Sequence, residues 1–132
     1  MATYNYKPGL GNVGSYQASG IPYVTCSLTV PANNAAGGAL NVQFPSVTRE
    51  FTVRNDGSQD IRVGFSAAGV SGSATNFFSL AATGSFSAPM KVTDLFLISS
   101  DTSAGEATVI GVLTGIDRDQ INNNWSGSAG VG

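Results

Sequence analysis

The chain has 132 residues, no histidine, one cysteine and a formal net charge of −2, and only 11% of its residues are charged. The length suits one domain, the lack of histidine removes the commonest general base and metal ligand, and a lone cysteine excludes an intrachain disulfide and a structural zinc site. Ordinary soluble domains contain about 25% charged residues, so this surface is covered either by neutral polar side chains or by other subunits.

The N-terminal region, residues 1–22, shows neither helical nor strand periodicity and is rich in glycine, serine, asparagine and tyrosine. Such a composition is typical of an extended arm. The arm either folds back on its own domain or lies on neighbouring subunits, and the sequence leaves both alternatives open. Tyr4, Tyr6 and Tyr16 are candidate interface residues, because aromatic side chains bury a large area with few rotatable bonds.

From residue 23 onward, apolar and polar side chains alternate, which is typical of strands with one buried face. In the first run, residues 23–30, the side chains predicted to be buried are Val24, Cys26, Leu28 and Val30. The second run, residues 40–44, ends at Pro45, which cannot donate a ladder hydrogen bond. In the third run, residues 47–55, Arg49 falls on the same side of the strand as the apolar residues. This predicts a bulge or a strand edge at that position.

The segment NDGSQ, residues 55–59, favours a tight turn because its residues tolerate positive φ angles. Residues 47–66 are therefore predicted to form an antiparallel hairpin. A loop follows, then a short strand over residues 76–80 and another strand around Phe86.

The last two predicted strands, residues 91–99 and 106–116, are apolar on both faces. In the first of them Leu95 and Leu97 alternate with Phe96 and Ile98. A strand that is apolar on both faces must be covered on both. The outer cover would come from a terminal arm or another molecule, which makes Leu95 and Leu97 candidate interface residues.

About eight short strands predict an all-β fold, either a single jelly roll or a closely related antiparallel β-sandwich. Apart from one turn near residues 117–121, no useful helix is predicted. The predicted organisation is an extended N-terminal arm (1–22), a β-sandwich domain (23–117) and a C-terminal tail (118–132). In the tail, Trp125 is a further candidate interface residue.

No motif indicates catalysis. The G-x-G-x-x-G match at residues 9–14 lacks the preceding strand and following helix that a dinucleotide site needs. The candidate carboxylates show no spacing that singles out an acid–base pair; they are Asp94, Asp101, Glu106, Asp117 and Asp119. We therefore expect no enzyme activity, no cofactor and no metal.

Direct nucleic-acid binding is not expected either. Genome binding needs several uncompensated positive charges, whereas Lys7 is the one charge in the arm. The arginines at positions 49, 54 and 62 have acidic neighbours in sequence that can pair with them. No apolar run approaches the length needed to span a bilayer, and a signal peptide is not recognised, so we expect no membrane insertion.

The layout of the whole sequence resembles a viral family. The segments that carry the resemblance are GLGNVGSYQASGIPYVT, LNVQFPSVTREFTVRN, IRVGFS and KVTDLFLIS, with a closing apolar strand. They resemble small single-jelly-roll structural proteins of icosahedral DNA viruses, of the minor capsid, penton or cement type. The resemblance implies a virion protein, made in the host cytoplasm, whose partners are copies of itself as a homo-oligomer and other capsid proteins. The alternative is a carbohydrate- or receptor-binding β-sandwich that uses Trp125 or the loop at residues 31–39.

Overall fold

The computed structural model describes residues 20–34, 38–71, 75–114 and 116–132, and its architecture is an all-β sandwich. The strands in these ranges are β1 (Ile21–Val30), β2 (Leu40–Gln43), β3 (Thr48–Asn55), β4 (Ile61–Gly64), β5 (Phe77–Leu80), β6 (Ser85–Ala88), β7 (Asp94–Ser99) and β8 (Gly105–Leu113). A short helix, α1 (Ala67–Val70), and two 3₁₀ turns, Arg118–Gln120 and Asn122–Trp125, complete the described elements. The first of these turns lies where the sequence predicts one.

Two antiparallel four-stranded sheets form the sandwich, with strand orders β1-β8-β3-β6 and β2-β7-β4-β5. The chain changes sheet at every connection between consecutive strands except β4 to β5. The predicted hairpin over residues 47–66 is therefore wrong, since β3 pairs with β6 and β8 while β4 pairs with β5 and β7. Face-packed sheets lie about 10 Å apart, a gap that the turn after Asn55 bridges.

That turn is held by the side chain of Asn55, which is itself buried. Its Nδ2 donates to the carbonyl oxygens of Gln59 at 2.7 Å and Leu80 at 3.0 Å. Its Oδ1 accepts the N–H of Gly57 at 3.0 Å. The turn residues that suggested a hairpin thus stabilise a crossover between the sheets.

The core lies between the two sheets and takes side chains from both. Its largest fully buried members are Phe44, Phe51, Ile61, Leu95 and Leu97. Leu95 and Leu97 are 0% exposed within the single chain. The opposite sheet of the same molecule therefore covers them, and the expectation that they contact a neighbouring subunit is corrected.

A β-bulge in β1 changes which of its side chains face the core. Tyr23 and Thr25 lie opposite Gly111 and Val109 of β8, but the register shifts between Thr25 and Leu28. A bulge inserts a residue, so the side chains beyond it switch faces. The predicted burial of Leu28 and Val30 agrees with the structure, where they are half-buried and buried.

The same bulge overturns the prediction for the first half of the strand. Val24 and Cys26, expected in the core, are exposed. The bulge predicted near Arg49 is present, since the β3–β8 register shifts between Thr48 and Glu50.

The C-terminal segment after β8 packs against the sandwich. Ile116 and Ile121 form a small buried cluster with Val47 of the connection before β3. Arg118 donates from Nη1 to the carbonyl oxygens of Phe44 and Thr93, and its Nη2 lies 2.8 Å from a carboxylate oxygen of Asp94. These contacts tie the segment to the sheet that contains β2 and β7.

Asn124 holds the same segment against the sandwich through hydrogen bonds from both the oxygen and the nitrogen of its buried side-chain amide. Its Oδ1 accepts the N–H of Thr93 at 2.7 Å, the N–H of Asp94 at 3.2 Å and the hydroxyl of Thr93 at 3.2 Å. Its Nδ2 donates to the carbonyl oxygens of Phe65 at 2.7 Å and Asp94 at 2.9 Å. The φ angle of Asn124 is +52°, in the left-handed region that asparagine tolerates better than most residues.

The carboxylate of Asp56 predicts a pH dependence of stability. The hydroxyl of Thr108 donates to it and the Arg54 guanidinium lies 2.6 Å away, and these contacts hold its pKa below the ordinary 3.8. A lowered folded-state pKa stabilises the fold above the unfolded-state value, and this stabilisation is lost as the pH falls through the folded-state pKa. Asp56→Asn should therefore be less stable than wild type at neutral pH.

The difference between Asp56→Asn and wild type should shrink as the pH falls below 3.8. Urea midpoints measured at a series of pH values check this. Asp60→Asn, at an exposed carboxylate of the same loop, is the matched control. A stability loss in Asp56→Asn that is constant at every pH would contradict the assignment.

Candidate functional site

The outer side of the sheet that contains β1 and β8 carries an apolar surface, here called the β1–β8 face. It consists of Pro22, Val24, Ile110 and Val112. Pro22 lies opposite Val112 and Val24 lies opposite Ile110 in the ladder, so each pair shares one face. Val24 is 64% exposed and Ile110 is 38% exposed. Adjacent apolar side chains on a solvent-facing sheet are a common mark of a protein–protein interface.

Strand β1 also lies at the edge of its sheet. It is ten residues long, and its sequence IPYVTCSLTV contains no charged side chain. Natural proteins usually protect such edges with charges, proline, bulges or a covering segment, because an unpaired strand can pair with another chain. Pro22 and the bulge give β1 part of this protection, but the apolar outer side chains remain.

The rest of this sheet's outer side is more polar. Thr52 of β3 lies opposite Ile110, and its hydroxyl is 2.7 Å from that of Ser87 in β6. Glu50 lies opposite Val112. The β1–β8 face is therefore an apolar stripe bounded on one side by hydroxyl and carboxylate groups, as an interface core is bounded by a polar rim.

A second apolar surface surrounds Trp125, the one tryptophan of the chain. Trp125 is 39% exposed, and its Nε1 donates to the carbonyl oxygen of Lys91 at 2.5 Å. The ring lines a pocket of about 370 Å³ together with Phe65, Pro89, Met90, Lys91, Val92 and Val131. Trp125 thus packs partly on its own chain, and a contact with a neighbouring subunit remains a prediction.

The interface residues predicted from the sequence are not brought together. Tyr4, Tyr6 and Tyr16 lie outside the described residues, and Leu95 and Leu97 lie in the core. Sequence reasoning missed the β1–β8 face because it assigned Val24 to the core. A signal was present, since the run from residue 21 to residue 30 contains no charge although it is an amphipathic strand.

The arginines singled out in the sequence have structural contacts. Arg54 pairs with Asp56, as its neighbours in sequence predict. Arg62 lies 4.5 Å from the centre of the Phe77 ring and donates to the carbonyl oxygen of Val70 at 3.3 Å. Contacts of this kind position hairpin and loop segments.

The described ranges contain no group of three or more carboxylate, cysteine or histidine side chains placed to hold a metal ion. No helix in that part of the chain is long and apolar enough to cross a bilayer.

Comparison with known proteins gives no family for this chain. No protein-family model matches it, and no curated protein matches it. The surfaces described above are therefore the guide to its function.

Proposed function

We propose that the chain is a structural subunit of a virus particle, of the capsid, penton or cement type, and that it self-associates through the β1–β8 face. The observation that carries this proposal is the uncharged edge strand β1 with Val24 and Ile110 exposed beside each other. An uncharged surface can meet a second copy of itself without like-charge repulsion. Burial of this face would also remove its exposed apolar side chains from water.

The strand order supports the jelly-roll and virion part of the proposal. The orders β1-β8-β3-β6 and β2-β7-β4-β5, with a sheet change at nearly every connection, are those expected of an eight-strand roll. Rolls of this kind are common in viral capsid proteins. The sequence layout resembles such proteins, and the low charged fraction suits a surface that other subunits cover.

Size-exclusion chromatography with light scattering tests the proposal. The purified chain should elute as a defined oligomer with closed symmetry, and negative-stain electron microscopy should show rings, vertices or shells. A monodisperse monomer at high concentration would contradict self-association.

A further inference from the structure

A polar cleft of about 660 Å³ lies on the outer side of the other sheet, away from the β1–β8 face. Its floor is formed by Asn41 and Gln43 of β2 and by Asp94 and Phe96 of β7, which lie opposite each other in the ladder. The start of α1 and the C-terminal segment line its walls. This volume falls within the range of small-molecule sites, about 300–1,000 Å³.

The framework of the cleft is fixed by the protein's own hydrogen bonds. Arg118 is held by two backbone carbonyl groups and the carboxylate of Asp94. Asn124 uses both ends of its amide on the backbone of residues 65, 93 and 94. The side chains of Arg118 and Asn124 therefore hold the walls in place, and other residues of the cleft are left to contact a ligand.

Three polar side chains of the cleft are available to a ligand. The amides of Asn41 and Gln43 and the carboxylate of Asp119 make no hydrogen bond with another described residue. Both amides belong to exposed residues of β2. Each amide offers a donor and an acceptor, and the carboxylate offers acceptors. The half-buried ring of Phe96 adds an apolar surface among them.

The charges of the cleft restrict the ligand's chemistry. The described residues that line the cleft include one guanidinium, that of Arg118, and two carboxylates, those of Asp94 and Asp119. Arg118 is already paired with Asp94. An anionic ligand such as a phosphate would meet a net negative charge. Two carboxylates are too few for a divalent-cation site built from the protein alone. A neutral ligand rich in hydroxyl groups matches both the amides and the aromatic ring.

We propose that this cleft binds a neutral saccharide. Asn41 and Gln43 hydrogen-bond to neighbouring sugar hydroxyls, each amide acting as donor to one and acceptor from another. Asp119 accepts from a third hydroxyl, and the ring of Phe96 packs against the apolar face of the sugar. The inference is independent of self-association, because the cleft and the β1–β8 face lie on different sheets.

A glycan array with neutral, sialylated and sulfated oligosaccharides, followed by isothermal titration with each neutral oligosaccharide that binds, tests the proposal. Wild type should bind neutral members. Asn41→Ala and Gln43→Ala should each weaken the affinity per site about ten-fold, since each removes a donor and an acceptor. Because both residues are exposed, neither variant should lower the melting temperature measurably.

The matched control is Gln59→Ala, which removes an amide in the turn between β3 and β4 and should bind as wild type does. Saccharide binding should also persist in an assembly-deficient variant, so the proposals of a saccharide site and of self-association can be tested independently. Three results would overturn the proposal: no neutral glycan binds, only acidic glycans bind, or the double variant Asn41→Ala/Gln43→Ala keeps the wild-type affinity.

Discussion

Replacing Val24 with glutamate is expected to turn the assembled protein into a monomer. Val24 lies near the centre of the β1–β8 face, so its carboxylate would be buried without a partner in the interface, in every subunit. Burying an unpaired charge costs several kcal/mol, which weakens association on the order of 100-fold or more. Light scattering after size-exclusion chromatography measures the effect directly.

The folded monomer should tolerate Val24→Glu, because the Val24 side chain is 64% exposed and changes at exposed positions usually alter stability by about 0.5 kcal/mol or less. Ser85→Glu adds the same charge at an exposed position of β6, on the far edge of the same sheet. It should assemble as wild type does. If Val24→Glu assembles normally as well, the β1–β8 face is not the interface.

Asn124→Ala is expected to destabilise the protein by about 2–4 kcal/mol, since it leaves several buried backbone groups without their partner. The N–H groups of Thr93 and Asp94 and the carbonyl oxygen of Phe65 lose the side-chain amide together. For a chain of this length, the melting temperature should fall by about 10 °C. Thermal and urea unfolding measure the loss.

The single tryptophan follows Asn124 directly, so its fluorescence reports on the same segment. In Asn124→Ala the emission of Trp125 should shift to longer wavelength, because the ring loses its packing beside Lys91 and gains solvent. Ser128→Ala, at an exposed position of the same segment, should leave both emission and stability unchanged. An Asn124→Ala protein that unfolds at the wild-type midpoint would show that other contacts fasten the segment.

Local alternation of side chains predicted much of the fold. The strands around Val42, Val63 and Phe86 are present where the apolar–polar pattern places them, because a strand's two faces follow directly from a period of two. Arg49 predicted a bulge or a strand edge, because its charged side chain falls on the same side as the buried apolar residues, and the structure has a bulge there. The helical turn after residue 117 was also predicted.

The candidate surfaces were harder to predict. Leu95 and Leu97 were assigned to an outer face, although they lie in the core. When a strand is apolar on both faces, the sequence pattern does not indicate which face packs against the second sheet. The cleft escaped prediction altogether, since Asn41 and Arg118 are far apart in sequence and meet only when the C-terminal segment crosses the sheet. Contacts of that range depend on topology, which local patterns do not specify.

The sequence by itself thus determined that this protein is built of strands, with alternating faces, few charges and no histidine. Tertiary structure decided which faces are buried. The bulge after Thr25 changes which alternate side chains of β1 face the core, so that Val24 is exposed. The crossover at Asn55 places β3 and β4 in different sheets. The physical reason is the same in both cases. The ladder that a strand joins determines which of its faces is buried and which strands it pairs with, and the partner strands are distant in sequence.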